Sequence, residues 1–407
     1  MTTTPIYPTR FREGEARGAR LGRALRVIAG VRSLDEDLMD RIGRGFLERD
    51  ELAASLVEAM RMRDDDPSAV TRTQFQQALE HGIDEVPDAA PALKAYFEEI
   101  TTVPDWVDRD LLLEGALAAR RLGQNMADIL LQLSLIGGYR FGGPTDLLVA
   151  TGALSGEGSV RRLAETQKWT TTIGDPGSVL PGGEAWRLTA HVRLVHAMVN
   201  AGFEKKWDTE RWGLPINQSD LASTLALFDA TVLLGCRALG ARITRRESQA
   251  YMHLWRYVGY LLGIDPDFWS TRERERYRMA YHVLRAQGPL TEAGPALAQS
   301  AVDLQSDRIY PGWPTVLMPL RARYERERML SMMTVLLNPT SMRELGLPVR
   351  PPWALAYIVP MNVLRYQVIA RTPWGRRRLE AWGLRVRDRT LSSTFRGAAQ
   401  EVGDLPA

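Results

Sequence analysis

The sequence predicts an all-α fold. Apolar residues recur at intervals of three and four along most of the chain, which is the period of an amphipathic helix. Alternating runs flanked by hairpin turns are scarce, so strands are not expected to build the fold. The 407 residues suffice for one large domain or two fused ones, and no internal repeat divides them.

Local signals place the helices along the chain. Ser33 is a predicted N-cap, because acidic residues follow it in what would be the first helical turn. Pro and Gly indicate a loop at residues 175–183, and Asn217 or Ser219 can cap the helix that follows Pro215. Helices are predicted over residues 33–63, 108–137 and 156–173, from Glu184, from about Asn217, and over 244–264, 270–287 and 294–337.

The domain boundaries are weakly marked. Residues 1–30 are predicted to form a polar, partly disordered arm, and residues 62–75 a linker or loop. Residues 31–390 are expected to form a single helical domain. Residues 391–407 are small and polar, so we expect a C-terminal tail that frays.

Composition excludes several classes of protein. Lys and Arg number 52 against 49 acids, a net charge of +3, so no nucleic-acid-binding protein is indicated. The single cysteine, Cys236, excludes an internal disulfide and a cysteine-based zinc or iron–sulfur site within one chain. No run of about 18 uninterrupted apolar residues predicts a transmembrane helix. The first residues lack the apolar segment of a signal peptide, so we expect a cytoplasmic protein.

Residues 351–378 allow two interpretations. The segment is apolar, but Pro360, Asn362 and Arg365 interrupt it and three consecutive arginines end it. A helix packed on the core with a solvated basic end has this pattern. So does a segment that makes a weak contact with a membrane surface.

Several catalytic motifs are absent. The sequence has no His-Glu-x-x-His zinc helix, no paired Glu-x-x-His of a di-iron bundle and no Gly-x-Ser-x-Gly elbow. The glycines at 156 and 158 follow no strand and lack the third glycine of a dinucleotide site. Metal hydrolysis, serine hydrolysis and dinucleotide chemistry are therefore not indicated.

The helix that begins near Glu184 raises a question about His196. Apolar residues surround this histidine in the sequence, among them Val192, Val195 and Val199. A buried imidazole prefers to be neutral, and a neutral imidazole nitrogen can bind haem iron. A buried histidine is more often simply hydrogen-bonded in the core, so burial alone leaves both roles open. His191 lies about 140° around the helix, so the two rings are predicted not to face one site.

Four motifs in order carry a resemblance to a known family. "RRLAET", "VRLVHAMVNAGF", "WGLPINQSDLASTLALF" and "WRYVGYLLGI" follow one another with short spacers. Over about residues 100–345 the chain resembles the latex clearing proteins, bacterial rubber oxygenases that share a domain with the fungal oxygenase of mycophenolic acid synthesis. The resemblance implies a globin-like helical core with flanking helices and one non-covalent b-type haem. It also implies that His196 is the proximal iron ligand.

The same resemblance implies residues on the distal side of the haem. The family's Arg-x-x-Lys-Thr motif corresponds to Arg162, Glu165 and Thr166, with the lysine replaced by Glu165. Arg162 would support the haem, although Arg161 competes for that role and either could be a solvated charge. Lys168 lies three residues after Glu165, so a small shift of alignment would place its amine at the iron.

Two further residues are assigned by position. Asp146 corresponds to a distal glutamate that the family is proposed to use as a base, but it fits equally well as a helix cap. Arg193 shares a helix face with His196, so it is predicted to contact the cofactor.

The resemblance implies a haem b-dependent oxygenase that uses O2 on a small apolar molecule. Oxidative cleavage of a C=C bond in an isoprenoid or polyene would give two carbonyl products. The changes at Glu165 and Asp146, with the lack of an export signal, favour an intracellular metabolite over rubber. Alternatives are a haem monooxygenase, peroxygenase or dehydratase of a biosynthetic pathway, a non-catalytic haem protein that binds gases, and an all-α protein that has lost its cofactor.

Overall fold

The all-α prediction is confirmed. The computed structural model describes residues 7–63, 65–152, 156–306, 308–310 and 312–394, except for the side chains of 156–162 and 394, and this part contains no strand. The helices are α1 (Glu15–Leu21), α2 (Arg23–Ala29), α3 (Glu36–Gly45), α4 (Glu51–Met60), α5 (Arg72–His81), α6 (Pro91–Thr101), α7 (Arg109–Leu122), α8 (Gln124–Ile129), α9 (Pro144–Ala150), α10 (Gly156–Ile173), α11 (Glu184–Phe203), α12 (Thr209–Trp212), α13 (Gln218–Phe228), α14 (Ala230–Ala238), α15 (Arg245–Leu261), α16 (Glu273–Ala286), α17 (Ala293–Asp303), α18 (Met318–Leu336), α19 (Asn338–Glu344), α20 (Leu355–Asn362) and α21 (Pro373–Thr394). Segments of π-helix, Leu130–Ile136 and Val363–Val368, continue α8 and α20. Short 3-10 turns lie at Ile83–Glu85, Pro266–Phe268, Thr315–Leu317 and Ile369–Arg371.

Helix starts follow the capping chemistry of the sequence. The side chain of Asp108 accepts from the backbone N–H groups of Asp110 and Leu111 at the start of α7. Asn217 accepts from the N–H of Asp220 at the start of α13. Both predicted starts are confirmed, and α11 begins at Glu184 as expected.

Four helices predicted as continuous are divided, and one of them is the helix from about Asn217, which forms α13 and α14. The 33–63 segment forms α3 and α4, and the cap of α3 is Asp35 rather than Ser33, because Asp35 accepts from the N–H of Leu38. The 108–137 segment breaks at Gly123, which has a φ of +48°. A Cβ there would lie 2.5 Å from the ring of Trp382 in α21, so this tertiary contact requires glycine. Likewise the 294–337 segment is α17 and α18 with a connection between them.

The predicted N-terminal arm is part of the domain from residue 7 onward. Helices α1 and α2 pack on α16, and a Cβ at Gly18 would lie 2.0 Å from the carbonyl oxygen of Leu284. Arg10 is fully buried, pairs with Asp220 and lies over the ring of Phe46. At the other end, α21 extends to Thr394, and residues 395–407 of the predicted tail lie outside the described residues.

An aromatic cluster holds together the helices around the candidate site. Trp255 of α15 stacks on Phe228 of α13 at a centroid distance of 5.2 Å, and it meets the edge of Trp169 of α10 at 5.9 Å. The indole N–H of Trp169 donates to the hydroxyl of Thr189 in α11 at 2.9 Å. These contacts fix α10, α11, α13 and α15 relative to one another.

One stretch in the described part, Gln218–Ala238, is long and apolar enough to cross a membrane by length and composition alone. Of an 18-residue apolar window within it, 56% is buried inside the structure. The stretch comprises α13 and α14, whose Leu225 and Leu233 lie in the main core, so it packs as core helices.

Candidate active site

A large cavity lies between the helices that follow Gly123. Its volume is about 790 Å³, within the range of about 300–1,000 Å³ typical of small-molecule sites. Walls come from α8 and its π-helical continuation, α10, α11, α13, α17, α18 and α21. Apolar side chains of α13 and α17 that line it include Leu221, Leu225, Phe228, Leu297 and Ala301.

One stripe of α11 faces this cavity. Its members are spaced three or four residues apart, as on one side of a helix, and they are Leu188, His191, Val192, Val195, His196 and Val199. The imidazole of His196 is half-buried and lies in the cavity wall.

The prediction that His191 and His196 do not face one site is wrong. His191 was expected to point away from the site of His196, yet both histidines line the same cavity. The stripe is centred between them, so each lies about 70° from its middle, and the wide cavity reaches both. Position in the cavity wall alone therefore does not choose between the two rings.

Arg193 lies on the opposite side of α11. Its guanidinium contacts both carboxylate oxygens of Asp50, at 2.5 and 2.9 Å, and Glu99 at 2.7 Å. Burial opposes the charge, but the Asp50 carboxylate outweighs it and raises the pKa of Arg193 above its ordinary value. The charge of Arg193 is paired with acidic residues at α4 and α6, and Arg193 does not line the cavity. The structure therefore gives Arg193 a structural role instead of the predicted cofactor contact.

Helix α10 brings two predicted residues to the cavity. Glu165 and Thr166 both line it. Lys168 does not; its ammonium pairs with Glu184 at 2.8 Å, at the start of α11. The side chains of Arg161 and Arg162 lie outside the described residues, so the predicted role of Arg162 remains a prediction.

Asp146 takes the capping role that was its alternative. Its carboxylate accepts from the N–H of Gly143 at 2.8 Å and from the hydroxyl of Thr291 at 3.0 Å. Its neighbours Thr145 and Leu147 line the cavity, whereas Asp146 does not. The structure therefore uses Asp146 to hold the start of α9 rather than as the predicted catalytic base.

A polar group at the cavity was missed in the sequence. Arg308, Tyr310, Arg321 and Arg328 all line it. Arg328 is paired with Asp128 at 2.8 Å, and burial lowers the pKa of Arg308. The sequence places Arg321 and Arg328 on a helix at four and three residues from Glu325, a pattern typical of a solvated helix surface. No local signal could have placed them in a cavity.

The donor set of the described residues can be compared with that of metal sites. These residues contain no group of three or more His, Cys, Asp or Glu side chains that could hold a metal ion by themselves. One histidine in an apolar wall is what a haem requires from a protein, because the porphyrin supplies the other iron ligands. Cationic side chains in the same cavity suit the acidic groups of such a cofactor.

The chain is similar in sequence to known oxygenases. Residues 120–372 match the family model described as "ER-bound oxygenase mpaB/B'/Rubber oxygenase, catalytic domain". The chain is 24% identical over 187 residues to a rubber oxygenase of Streptomyces sp. (strain K30), covering 43% of this chain and 44% of that relative, so the match spans less than half of the relative's length.

The fold is also similar to a solved structure. The structure of latex clearing protein LCP in the closed state matches with a TM-score of 0.62 and 18% identity, covering 89% of this chain and 95% of the other. At this identity the match shows the fold alone. The family model covers more than half of the chain, including α10 and α11, and the resemblance found in the sequence is confirmed. The chain therefore belongs to the mpaB/rubber oxygenase family of oxygenases.

Proposed function

We propose that this chain is a haem b-dependent oxygenase that uses O2 on a small apolar molecule, with His196 as the protein ligand of the iron. The observation that carries the proposal is the position of His196: it lies half-buried in the wall of the apolar cavity, on a helix inside the matched family domain. The motif match favours His196 over His191.

Helix α11 is well suited to hold a ligand in a fixed position. The indole N–H of Trp186 donates to the carbonyl of Ile100 at 2.7 Å, and Thr189 receives the bond from Trp169. Asn200 donates to the carbonyl of Ile216 and accepts from its N–H, both at 2.7 Å. The helix is therefore tied at its beginning, middle and end, which fixes the imidazole between the ties.

Other cavity residues would contact the ring and the acidic groups of the cofactor. Val192, Val195 and Val199 present apolar surface to a flat ring, which favours removing that ring from water. Arg308 and Arg321 add positive charge to the polar part of the wall, which suits acidic groups. When bound, a haem supplies the activation of O2.

Glu165 and Thr166 are the polar groups of α10 in the wall. A hydroxyl can donate to an oxygen atom, and a carboxylate can accept a proton from a substrate within hydrogen-bond reach. The apolar side chains of α13 and α17 would select an olefinic substrate, such as an isoprenoid or polyene, whose C=C bond is cleaved to two carbonyl products.

One observation favours a second candidate function. Glu165 places a carboxylate in the cavity where the resemblance predicts a lysine. A changed acid–base group is where a different reaction on the same fold would arise, so a haem monooxygenase, peroxygenase or dehydratase is the alternative.

The test is haem loading followed by product analysis. The purified protein, with haem added, is expected to show a Soret band at roughly 400–420 nm. Incubation with short isoprenoids or polyenes under O2 is expected to consume O2 and release two carbonyl products. Hydroxylated or dehydrated product would favour the alternative chemistry. A protein that stays colourless after haem addition would contradict both.

A further inference from the structure

Exposed apolar side chains are concentrated in one part of the chain. Within the described residues, nearly all large apolar side chains that are exposed lie between residues 309 and 374. The exceptions are Val27, Ile28, Met62 and Leu113. Isolated exposed apolar residues are ordinary on a protein surface, but such a concentration marks an interaction site.

Two helical stripes form the centre of this surface. The first runs into α18 and carries Trp313, Val316, Leu317, Leu320 and Tyr324, with Val316 at 84% and Leu320 at 66% exposure. The second runs along α20 and its π-helical continuation and carries Tyr357, Met361, Leu364 and Val368. Each stripe has the spacing of one helix side, so each presents a continuous apolar edge to solvent.

Direct contacts join the two stripes. The hydroxyls of Tyr324 and Tyr357 lie 2.8 Å apart. The ring of Trp353 packs against both, with centroid distances of 5.8 and 6.3 Å. We call the surface formed by the two stripes, Trp353 and Trp374 the apolar face.

Arginine is the main charged residue of the apolar face, and two of its arginines, Arg321 and Arg350, are paired with Glu325 and Glu327. Residues 312–324 and 345–379 contain no Asp or Glu. The same two segments contain eight arginines, namely Arg321, Arg323, Arg350, Arg365, Arg371, Arg376, Arg377 and Arg378. Arg371, Arg376, Arg377 and Arg378 are exposed, and the salt bridges among the described residues include none of these four. The face is therefore complementary to an anionic partner.

We propose that the apolar face docks on the surface of a bilayer that contains anionic phospholipid. Exposed Leu and Val would enter the boundary between headgroups and acyl chains, Trp and Tyr favour the interfacial depth, and the arginines would meet lipid phosphates. A symmetric dimer through the same face would bring two surfaces together that each carry four exposed arginines, and the like charges would oppose it. Residues 351–378, for which a weak membrane contact was one interpretation of the sequence, form part of this larger surface.

The apolar face borders the cavity. Arg321 lines the cavity, and its guanidinium lies over the rings of Trp313 and Tyr324, at 5.0 and 5.4 Å from their centroids. An apolar molecule dissolved in the bilayer would be delivered next to the cavity wall, without crossing water.

Vesicle flotation of the full chain tests the proposal. We expect the protein to float with vesicles of phosphatidylcholine and phosphatidylglycerol more than with phosphatidylcholine alone, and to be released as salt is raised. The quadruple variant Val316→Gln, Leu320→Gln, Leu364→Gln and Val368→Gln is expected to lose at least about a hundredfold in partitioning. The matched control, Val27→Gln with Leu113→Gln, changes exposed apolar residues elsewhere and is expected to float like the wild type.

A second pair of variants tests the charge. Replacing Arg376, Arg377 and Arg378 by Gln is expected to weaken partitioning into anionic vesicles by about fivefold per residue, about a hundredfold in all. The matched control replaces the exposed Arg23, Arg242 and Arg245 by Gln and is expected to leave partitioning unchanged. All these side chains are exposed, so the unfolding temperature serves as the check that every variant folds.

Three results would overturn the proposal. The wild type could fail to float with either vesicle, or it could float equally with neutral and anionic vesicles. It could also be a dimer that the quadruple variant converts to a monomer, which would identify a second copy of the chain as the occupant. Flotation requires neither haem nor turnover, so its failure would leave the proposed function standing.

Discussion

Both sides of α11 carry polar residues, but one side is buried against neighbouring helices and the other lines the cavity. On the core side, Thr189, Arg193 and Asn200 are buried, and each makes hydrogen bonds or ion pairs with neighbouring helices. On the cavity side, His191 and His196 are half-buried in a wall of aliphatic side chains. The buried, paired groups on the core side hold the fold together, whereas the two histidines lie where a ligand in the cavity can contact them.

A third histidine, His282 of α16, lies in the core and not in the cavity wall. It is fully buried; its Nδ1 lies 2.7 Å from the carbonyl of Arg278, and its Nε2 accepts from the N–H of Asp35 at 3.0 Å. Both ring nitrogens are thus engaged by backbone groups, which corresponds to the neutral ring with the proton on Nδ1. His282 resembles His196 in its helical sequence context, but its surroundings assign it to the core.

The largest effect is expected at Arg193. Arg193→Leu would leave Asp50 and Glu99 without their cation, and removing one partner of a buried pair costs about 3–5 kcal/mol. Urea denaturation would measure this loss in the free energy of unfolding. The control is Arg187→Leu on the same helix, where we expect about 0.5 kcal/mol or less. If Arg193→Leu kept its free energy of unfolding but lost haem binding, the structural role given to Arg193 would be contradicted.

His282 is expected to make stability depend on pH. Burial lowers the pKa of His282, so the ring stays neutral in the fold while the unfolded chain takes up a proton below its ordinary value of 6.5. The contribution of His282 to stability is therefore complete above about pH 6.5 and is lost as pH falls below it.

The variant His282→Phe tests this sign. It leaves the N–H of Asp35 without its acceptor and is expected to cost about 1–3 kcal/mol at pH 7.5. It should also remove part of the decline in unfolding free energy between pH 6.5 and 5. An unchanged pH dependence would show that other groups cause the decline.

A smaller, spectroscopic effect is expected at α10. Glu165 lines the cavity and Lys168 pairs with Glu184, so we expect no amine ligand in the haem-loaded ferric protein. A carboxylate is a hard ligand, so the resting state is expected to be high-spin by electron paramagnetic resonance, and unchanged in Lys168→Ala. A low-spin signal that disappears in Lys168→Ala would show that the amine of Lys168 reaches the iron.

Local chemistry made part of the fold predictable. The helical class follows from periodicity, and the caps Asp108 and Asn217 act within a few residues of themselves. The break at Gly123 depends on Trp382, and the burial of Arg10 depends on Asp220, some 210 residues away. Such partners cannot be read from a local pattern.

The candidate site was also predicted only in part. His196, Glu165 and Thr166 were found through motifs and do line the cavity. The sequence analysis placed His191 outside the site of His196 on the angle between the two residues around the helix. That angle does not include the width of the cavity, which reaches both rings. Arg193 was misplaced because the face of α11 that meets Asp50 is decided by α4, which lies far from it in sequence.

The measurement that tests the central claim most directly is haem titration of His196→Ala beside His191→Ala, followed by visible absorption. Both side chains are half-buried in the same wall, so each replacement removes a similar ring from a similar place. We predict that His196→Ala loses most haem binding or its Soret band, while His191→Ala keeps both, with the fold of each variant checked by its unfolding temperature. Full haem binding with an unchanged spectrum in His196→Ala would contradict the assignment, and loss in His191→Ala alone would transfer the role to His191.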